Sequence, residues 1–219
     1  RWAYPHYSWN RDELTYLWHV DVLRTGSLSA PDGGFPDLFR PWLTAALDGR
    51  LFSQYSLGWP VPLLVGDLLG SPGFALWAAT ALAVLGTRAL ALELHRDRLV
   101  AGLAALAMLG APIVAIHSGM YLNYLFTLGL GLFFTTSLLS GLRLRSGPRV
   151  ALAGALLGWI FLTRPYDAAI WAAVVFVFPP ALTHGYGSFM TYGAMLVLGL
   201  ILLIATVIAF VVALVVIGV

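Results

Sequence analysis

From residue 74 to its end the chain is a succession of apolar runs, 74–94, 99–116, 121–142, 150–162, 166–182 and 189 onward, separated by only a few polar residues each. A helix needs about 20 apolar residues to cross the ~30 Å hydrocarbon layer of a bilayer. In lipid every backbone N–H and C=O must find its partner within the protein, so runs of this length are expected to be helices. The expectation is an all-α, polytopic membrane protein, with about six spans in 71–219 behind a more polar region, 1–70. With 60% hydrophobic and 10% charged residues, the composition leaves no room for a soluble reading.

The polar region holds its own signals. Residues 1–60 contain six of the ten acids and five of the twelve prolines. In "WNRDELTYLWHVDVLRTG" Asn10 stands three positions before Glu13, the spacing of a capping box, and Gly26 follows Thr25 where a helix would stop. The pattern predicts a helix over Arg11 to Thr25 with Leu14, Leu17, Trp18 and Val22 on one face, lying along the membrane surface. "SLSAPDGGFPDLFRP" reads as loop, being broken by Pro and Gly every few residues. A shorter helix is expected from Trp42 to Leu47, ended by the Asp48-Gly49 turn.

Charge sets the expected topology. All twelve basic residues are Arg, and five of them cluster in "HRDR" (95–98) and "RLRSGPR" (143–149), two spans apart. The positive-inside rule places both in the cytoplasm. Alternation then puts residues 1–70, "HSGMY" (117–121) and "TRPYD" (163–167) on the outer side, where the acids, His117, Asn123 and Arg164 with Asp167 could surround one cavity. The run 150–162 spans only about 20 Å at 1.5 Å per residue, so Arg164 is expected below the outer surface. An ionisable residue at such a depth marks a functional site by default. The small net charge of +2 is a loop property and gives no sign of a nucleic-acid partner.

Each candidate also has a structural reading. Glu13 sits where a capping-box acid belongs, which leaves Asp12 as the better general base or cation ligand. Arg164 and Asp167, spaced i, i+3 around Pro165, make a local ion pair or present a guanidinium to phosphate. His117, Asn123 and Tyr124 are interfacial anchors or donors to a polar substrate, and Tyr55 and Trp59 read first as aromatic-belt residues. With no cysteine there is no thiolate chemistry. There is also no P-loop, dinucleotide fingerprint, HExxH or GxSxG.

Three stretches in order, "RDELTYLWHVDVLRTGSLSAP", "GRLFSQYSLGWPVPLL" and "GWIFLTRPYDAAIWA", resemble the GT-C membrane glycosyltransferases, in the branch related to dolichyl-phosphate-mannose protein mannosyltransferases and bacterial aminoarabinose transferases. The resemblance covers roughly residues 9–180, and "TRPYDA" carries it most sharply. It implies a GT-C-like fold with a helical extracytoplasmic first loop. It also implies a sugar taken from a polyprenyl-phosphate donor and passed, with inversion, to a hydroxyl on a glycan, lipid or protein. Asp12 and Glu13 would be the catalytic acidic motif, with a divalent cation as a conceivable cofactor although no metal ligands are assigned. Arg164, Tyr166 and Asp167 would bind donor phosphate or shape its cavity, with Tyr55, His117 and Asn123 as further binding residues.

The abrupt polar start at Arg1 and the apolar stop at Val219 read as a piece of something longer, lacking the family's first transmembrane helix. The alternatives carried alongside are a membrane transporter and a catalytically silent membrane assembly subunit.

Overall fold

The structure, a computed structural model, describes residues 10–34 and 40–177. It is mostly helical, with eight helices among these residues. They are α1 Arg11–Arg24, α2 Pro60–Leu68, α3 Gly73–His95, α4 Arg98–Gly110, α5 Pro112–His117, α6 Tyr124–Arg143, α7 Gly147–Thr163 and α8 Pro165–Val177. The expected span from 189 onward and the end of the one over 166–182 lie outside the described residues.

The chain divides into two compact units, each taken by itself below: residues 1–84 with 106–126, and residues 85–105 with 127–219. Helices α3, α4 and α6 contribute residues to both.

Two helices, α3 with 23 residues and α6 with 20, are long and apolar enough to cross a membrane. At 1.5 Å per residue they reach about 34 and 30 Å. Both coincide with expected spans. The apolar run 99–116 does not form one helix. Pro112 lacks the N–H that would continue α4 and pushes Ala111 into an extended conformation (φ −69°, ψ 127°), so α5 begins anew at Pro112. Helix α7, at 17 residues, is longer than its apolar run and reaches about 25 Å.

The first unit also corrects the all-α expectation. Residues 44–47, expected as helix, form the second strand of a three-stranded antiparallel sheet: β1 Ser29–Pro31, β2 Thr44–Leu47 and β3 Arg50–Ser53, in the order β1-β3-β2. Leu47 pairs with Arg50 across the two-residue loop Asp48-Gly49, and both loop residues have positive φ, 48° and 74°. That is a type I′ hairpin turn, whose twist matches that of the strands it joins. The Asp-Gly pair was read as a helix stop, whereas its backbone preference selects a hairpin.

Helix α1 falls where expected. Asn10 Oδ1 accepts the Asp12 N–H at 2.9 Å, and Gly26 follows in the left-handed region at φ 73°. Its buried face, however, carries Glu13, Thr15, Tyr16, His19, Val20 and Val22, while Leu14 is exposed and Leu17 and Trp18 are half-buried. Of the proposed apolar stripe only Val22 is fully buried. Helix α1 packs against α2, and at their ends Arg24 Nη1 lies 3.1 Å from Asp67 Oδ2, too poorly aligned for a hydrogen bond.

In the second unit α3 and α6 run side by side in the same direction. A Cβ on Gly86 would come within 2.9 Å of Leu132 Cβ, and further along Glu93 receives a bidentate pair from Arg143, Nε to Oε1 at 2.8 Å and Nη2 to Oε2 at 2.7 Å. Arg143, expected as a topology signal only, therefore ties two helix ends together. The pairing also brings the 95–98 and 143–149 loops to one end of this unit, with Arg164 at the far end of α7.

Gly131 of α6 marks a closer contact: a Cβ there would overlap the Trp171 indole of α8. Gly131→Ala is expected to destabilise the protein by about 1–3 kcal/mol through overpacking. Trp171→Leu in the same chain should recover part of the loss. Thermal unfolding in detergent checks this, and a neutral Gly131→Ala would show that the helices separate freely.

Candidate functional site

Three of the sequence-predicted residues of the first unit, Glu13, Tyr55 and Asn123, meet around one short segment, 121–123, which leads into α6. Its backbone is held on both sides by side chains remote in sequence. Glu13 Oε2 accepts the Tyr121 N–H at 3.1 Å, and the Trp59 indole N–H donates to the Tyr121 carbonyl at 2.8 Å. Asn123 Nδ2 donates to the Tyr16 hydroxyl at 3.1 Å, and the Tyr16 ring stacks on Tyr55 with centroids 4.3 Å apart. Trp59, only 1% exposed, also rests its ring 5.1 Å from that of Phe126.

Each part of this clasp follows from local structure. Asn10 starts α1 so that Glu13 and Tyr16, three residues apart, lie on the same helical face one turn from each other. Pro60 opens α2 and fixes Trp59 immediately before it. The segment 121–123 has no helical partner for its amides, so an acceptor and a donor from elsewhere must satisfy them. A buried carboxylate taking a backbone N–H is a charge-assisted hydrogen bond, stronger than a neutral one.

The two acids therefore separate. Glu13 is buried and committed to Tyr121, while Asp12 is half-buried, with no hydrogen bond or ion pair to its carboxylate among the described residues. Asp12 is the acid left available for chemistry. One oxygen of Glu13 being engaged, the pair does not by itself make a divalent-cation site, and no three His, Cys, Asp or Glu residues gather among the described residues.

His117 ends α5, with its ring edge against Tyr124 at 5.0 Å and its Nδ1 buried without a hydrogen-bond partner among the described residues. The hydroxyl of the buried Thr15 reaches the Trp42 carbonyl at 2.6 Å, and the Arg11 guanidinium lies 5.1 Å from the Trp42 ring centroid. These contacts tie the strand region to the start of α1.

In the second unit, "TRPYD" forms a corner. Arg164 is extended (φ −151°, ψ 96°), as a residue before Pro is inclined to be, and it separates α7 from α8. Its Nη1 lies 3.1 Å from Asp167 Oδ2, an i, i+3 pair that is partly exposed. Such a pair contributes about 0–1 kcal/mol, so it orients the guanidinium more than it stabilises the corner. Tyr166 projects outward, 87% exposed.

Three participants in the clasp were not singled out as site residues from sequence: Tyr16, Trp59 and Tyr121. His19 is buried beside Trp18, its Nδ1 without a hydrogen-bond partner among the described residues, and burial lowers its pKa from 6.5 to about 4. Above pH 6.5 it is neutral whether folded or unfolded. As pH falls from 6.5 to about 4 the unfolded chain takes up a proton that the folded chain resists. Over that window the linkage costs about 3 kcal/mol of stability. His19→Leu is expected to flatten this acid limb in a series of thermal unfolding curves from pH 7.5 to 4.5, and an unchanged slope would show that His19 is not its source.

No protein-family model, no curated protein and no solved structure matches the chain at a significant level.

Proposed function

We propose that the chain is a GT-C type membrane glycosyltransferase. It moves a sugar from a polyprenyl-phosphate donor to an acceptor hydroxyl on the extracytoplasmic side. The observation that carries the reading is the clasp on Tyr121. It draws together Glu13, Tyr16, Tyr55, Trp59 and Asn123 from three stretches far apart in sequence, while the neighbouring Asp12 carboxylate has no partner among the described residues.

Membrane embedding is supported by the two long apolar helices and by large apolar side chains left exposed, among them Leu85 and Leu94 on α3 and Leu99, Leu103, Leu106 and Leu109 on the shorter α4. Facing water, these would be unfavourable by about 25 cal/mol per Å² of apolar surface. Facing lipid they are at home.

In the proposed reaction Asp12 accepts the proton of the acceptor hydroxyl as its oxygen attacks the anomeric carbon, and the bond to the polyprenyl phosphate breaks in the same step, inverting that centre. Arg164, paired with Asp167, presents a planar fork suited to binding a phosphate. Glu13 positions the 121–123 segment and transfers no proton.

Sidedness and donor use test the reading together. Cysteines placed at positions 12 and 97 are expected to label from opposite faces of sealed vesicles. Arg164→Lys, which keeps the charge and loses the bidentate geometry, is expected to raise the donor KM about tenfold with the acceptor KM unchanged. Labelling of both cysteines from one face, or equal effects on the two substrates, would contradict it.

A further inference from the structure

The end of the second unit that carries the 95–98 and 143–149 loops holds six arginines, Arg88, Arg96, Arg98, Arg143, Arg145 and Arg149, and two acids, Glu93 and Asp97. Both acids are already engaged. Glu93 is taken bidentately by Arg143, and Asp97 Oδ1 caps α4 by accepting the N–H groups of Leu99 at 2.7 Å and Val100 at 3.2 Å. Arg88, Arg96, Arg98 and Arg149 are exposed, and none of their guanidinium groups makes a hydrogen bond or ion pair with another described residue. The surface is therefore rich in uncompensated guanidinium.

We propose that this end of the unit is a docking surface for the phosphates of anionic phospholipid headgroups, with Arg88, Arg96, Arg98 and Arg149 as its cations. The proposal rests on the reading that α3 and α6 cross a membrane. Given that reading, the loops after α3 and α6 lie at headgroup level, where arrays of phosphate are the anions at hand. Arg88 makes the demand more specific. It lies seven residues, about 10 Å, before the end of α3, on an apolar helix, and there an exposed guanidinium is costly unless it reaches an anion or the interface. Its long stem lets it extend along the helix toward that level.

The test uses the purified full-length protein in micelles containing either dioleoyl phosphatidylglycerol or dioleoyl phosphatidylcholine, with thermal unfolding as the readout. The expected result is a Tm about 3–8 °C higher with the anionic lipid. The difference should fall below about 1 °C at roughly 0.5 M salt. The triple variant Arg96→Gln, Arg98→Gln, Arg149→Gln should lose the difference as well, while the corresponding triple Lys variant, which keeps the charges, should retain most of it. Equal Tm values in the two lipids, or a difference that survives in the Gln variant, would overturn the proposal. A protein that stays monodisperse without any detergent would overturn the membrane reading and this surface with it, an outcome separate from equal Tm values in a protein that requires detergent.

Discussion

Asp12→Asn is expected to lower sugar transfer by about 10²- to 10⁴-fold, the range lost with a general base, while the protein unfolds at the wild-type temperature. Asn10 caps α1 through the Asp12 N–H, a backbone contact that the substitution leaves in place. The Asp12 carboxylate has no partner among the described residues, so its amide leaves no buried group unsatisfied. Only the helix-dipole contribution of a first-turn acid is lost, about 0.3–1 kcal/mol. Glu13→Gln is expected to act differently, because Gln retains an oxygen that can accept the Tyr121 N–H. Its transfer rate should fall less than that of Asp12→Asn, and its stability should fall more. If the two variants exchange these behaviours, Glu13 is the base and Asp12 the structural acid.

Trp59→Ala should produce the largest loss of stability in the first unit, about 3–5 kcal/mol, by emptying a site that is 1% exposed. Two contributions add. The indole ring is lost from its contact with Phe126, and the Tyr121 carbonyl loses its donor. Trp59→Phe separates them, since it keeps most of the ring and removes the N–H, and should cost about 1–3 kcal/mol. Trp59 and Glu13 hold the two sides of one residue's backbone, so their effects should not be additive. A double-mutant cycle with Glu13→Gln and Trp59→Phe is expected to give a coupling of about 0.5–3 kcal/mol in thermal unfolding. A coupling of zero would mean that the segment 121–123 is held by other contacts.

The parts of this fold that were legible in the sequence are those set by local rules. Asn10 and Gly26 bracket α1 because a cap and a left-handed glycine act within a few residues, and α3 and α6 announce themselves by apolar length. The break at Ala111 was hidden because the surrounding residues are uniformly apolar and the run was read by composition through Pro112. The hairpin at Asp48-Gly49 had a signal of its own, but Thr44 to Leu47 is short and Ala-rich and its helical propensity competed with the turn. Glu13 was the hardest to assign. Its partner is a backbone N–H 108 residues away, and a backbone amide has no sequence signature. The same limit hid Tyr121, whose contribution to the clasp is its peptide groups and not its ring.

Transfer itself is the most direct test of the proposed activity. Membranes containing the full-length protein would be supplied with polyprenyl-phosphate sugars radiolabelled in the sugar, and the label followed from lipid to acceptor for wild type and Asp12→Asn side by side. The account predicts that wild type moves label from at least one such donor to a new hydroxyl-linked product with inverted anomeric configuration, and that Asp12→Asn leaves the label on the lipid. Label that stays on every polyprenyl-phosphate donor with wild type, or that moves equally well with Asp12→Asn, would contradict it.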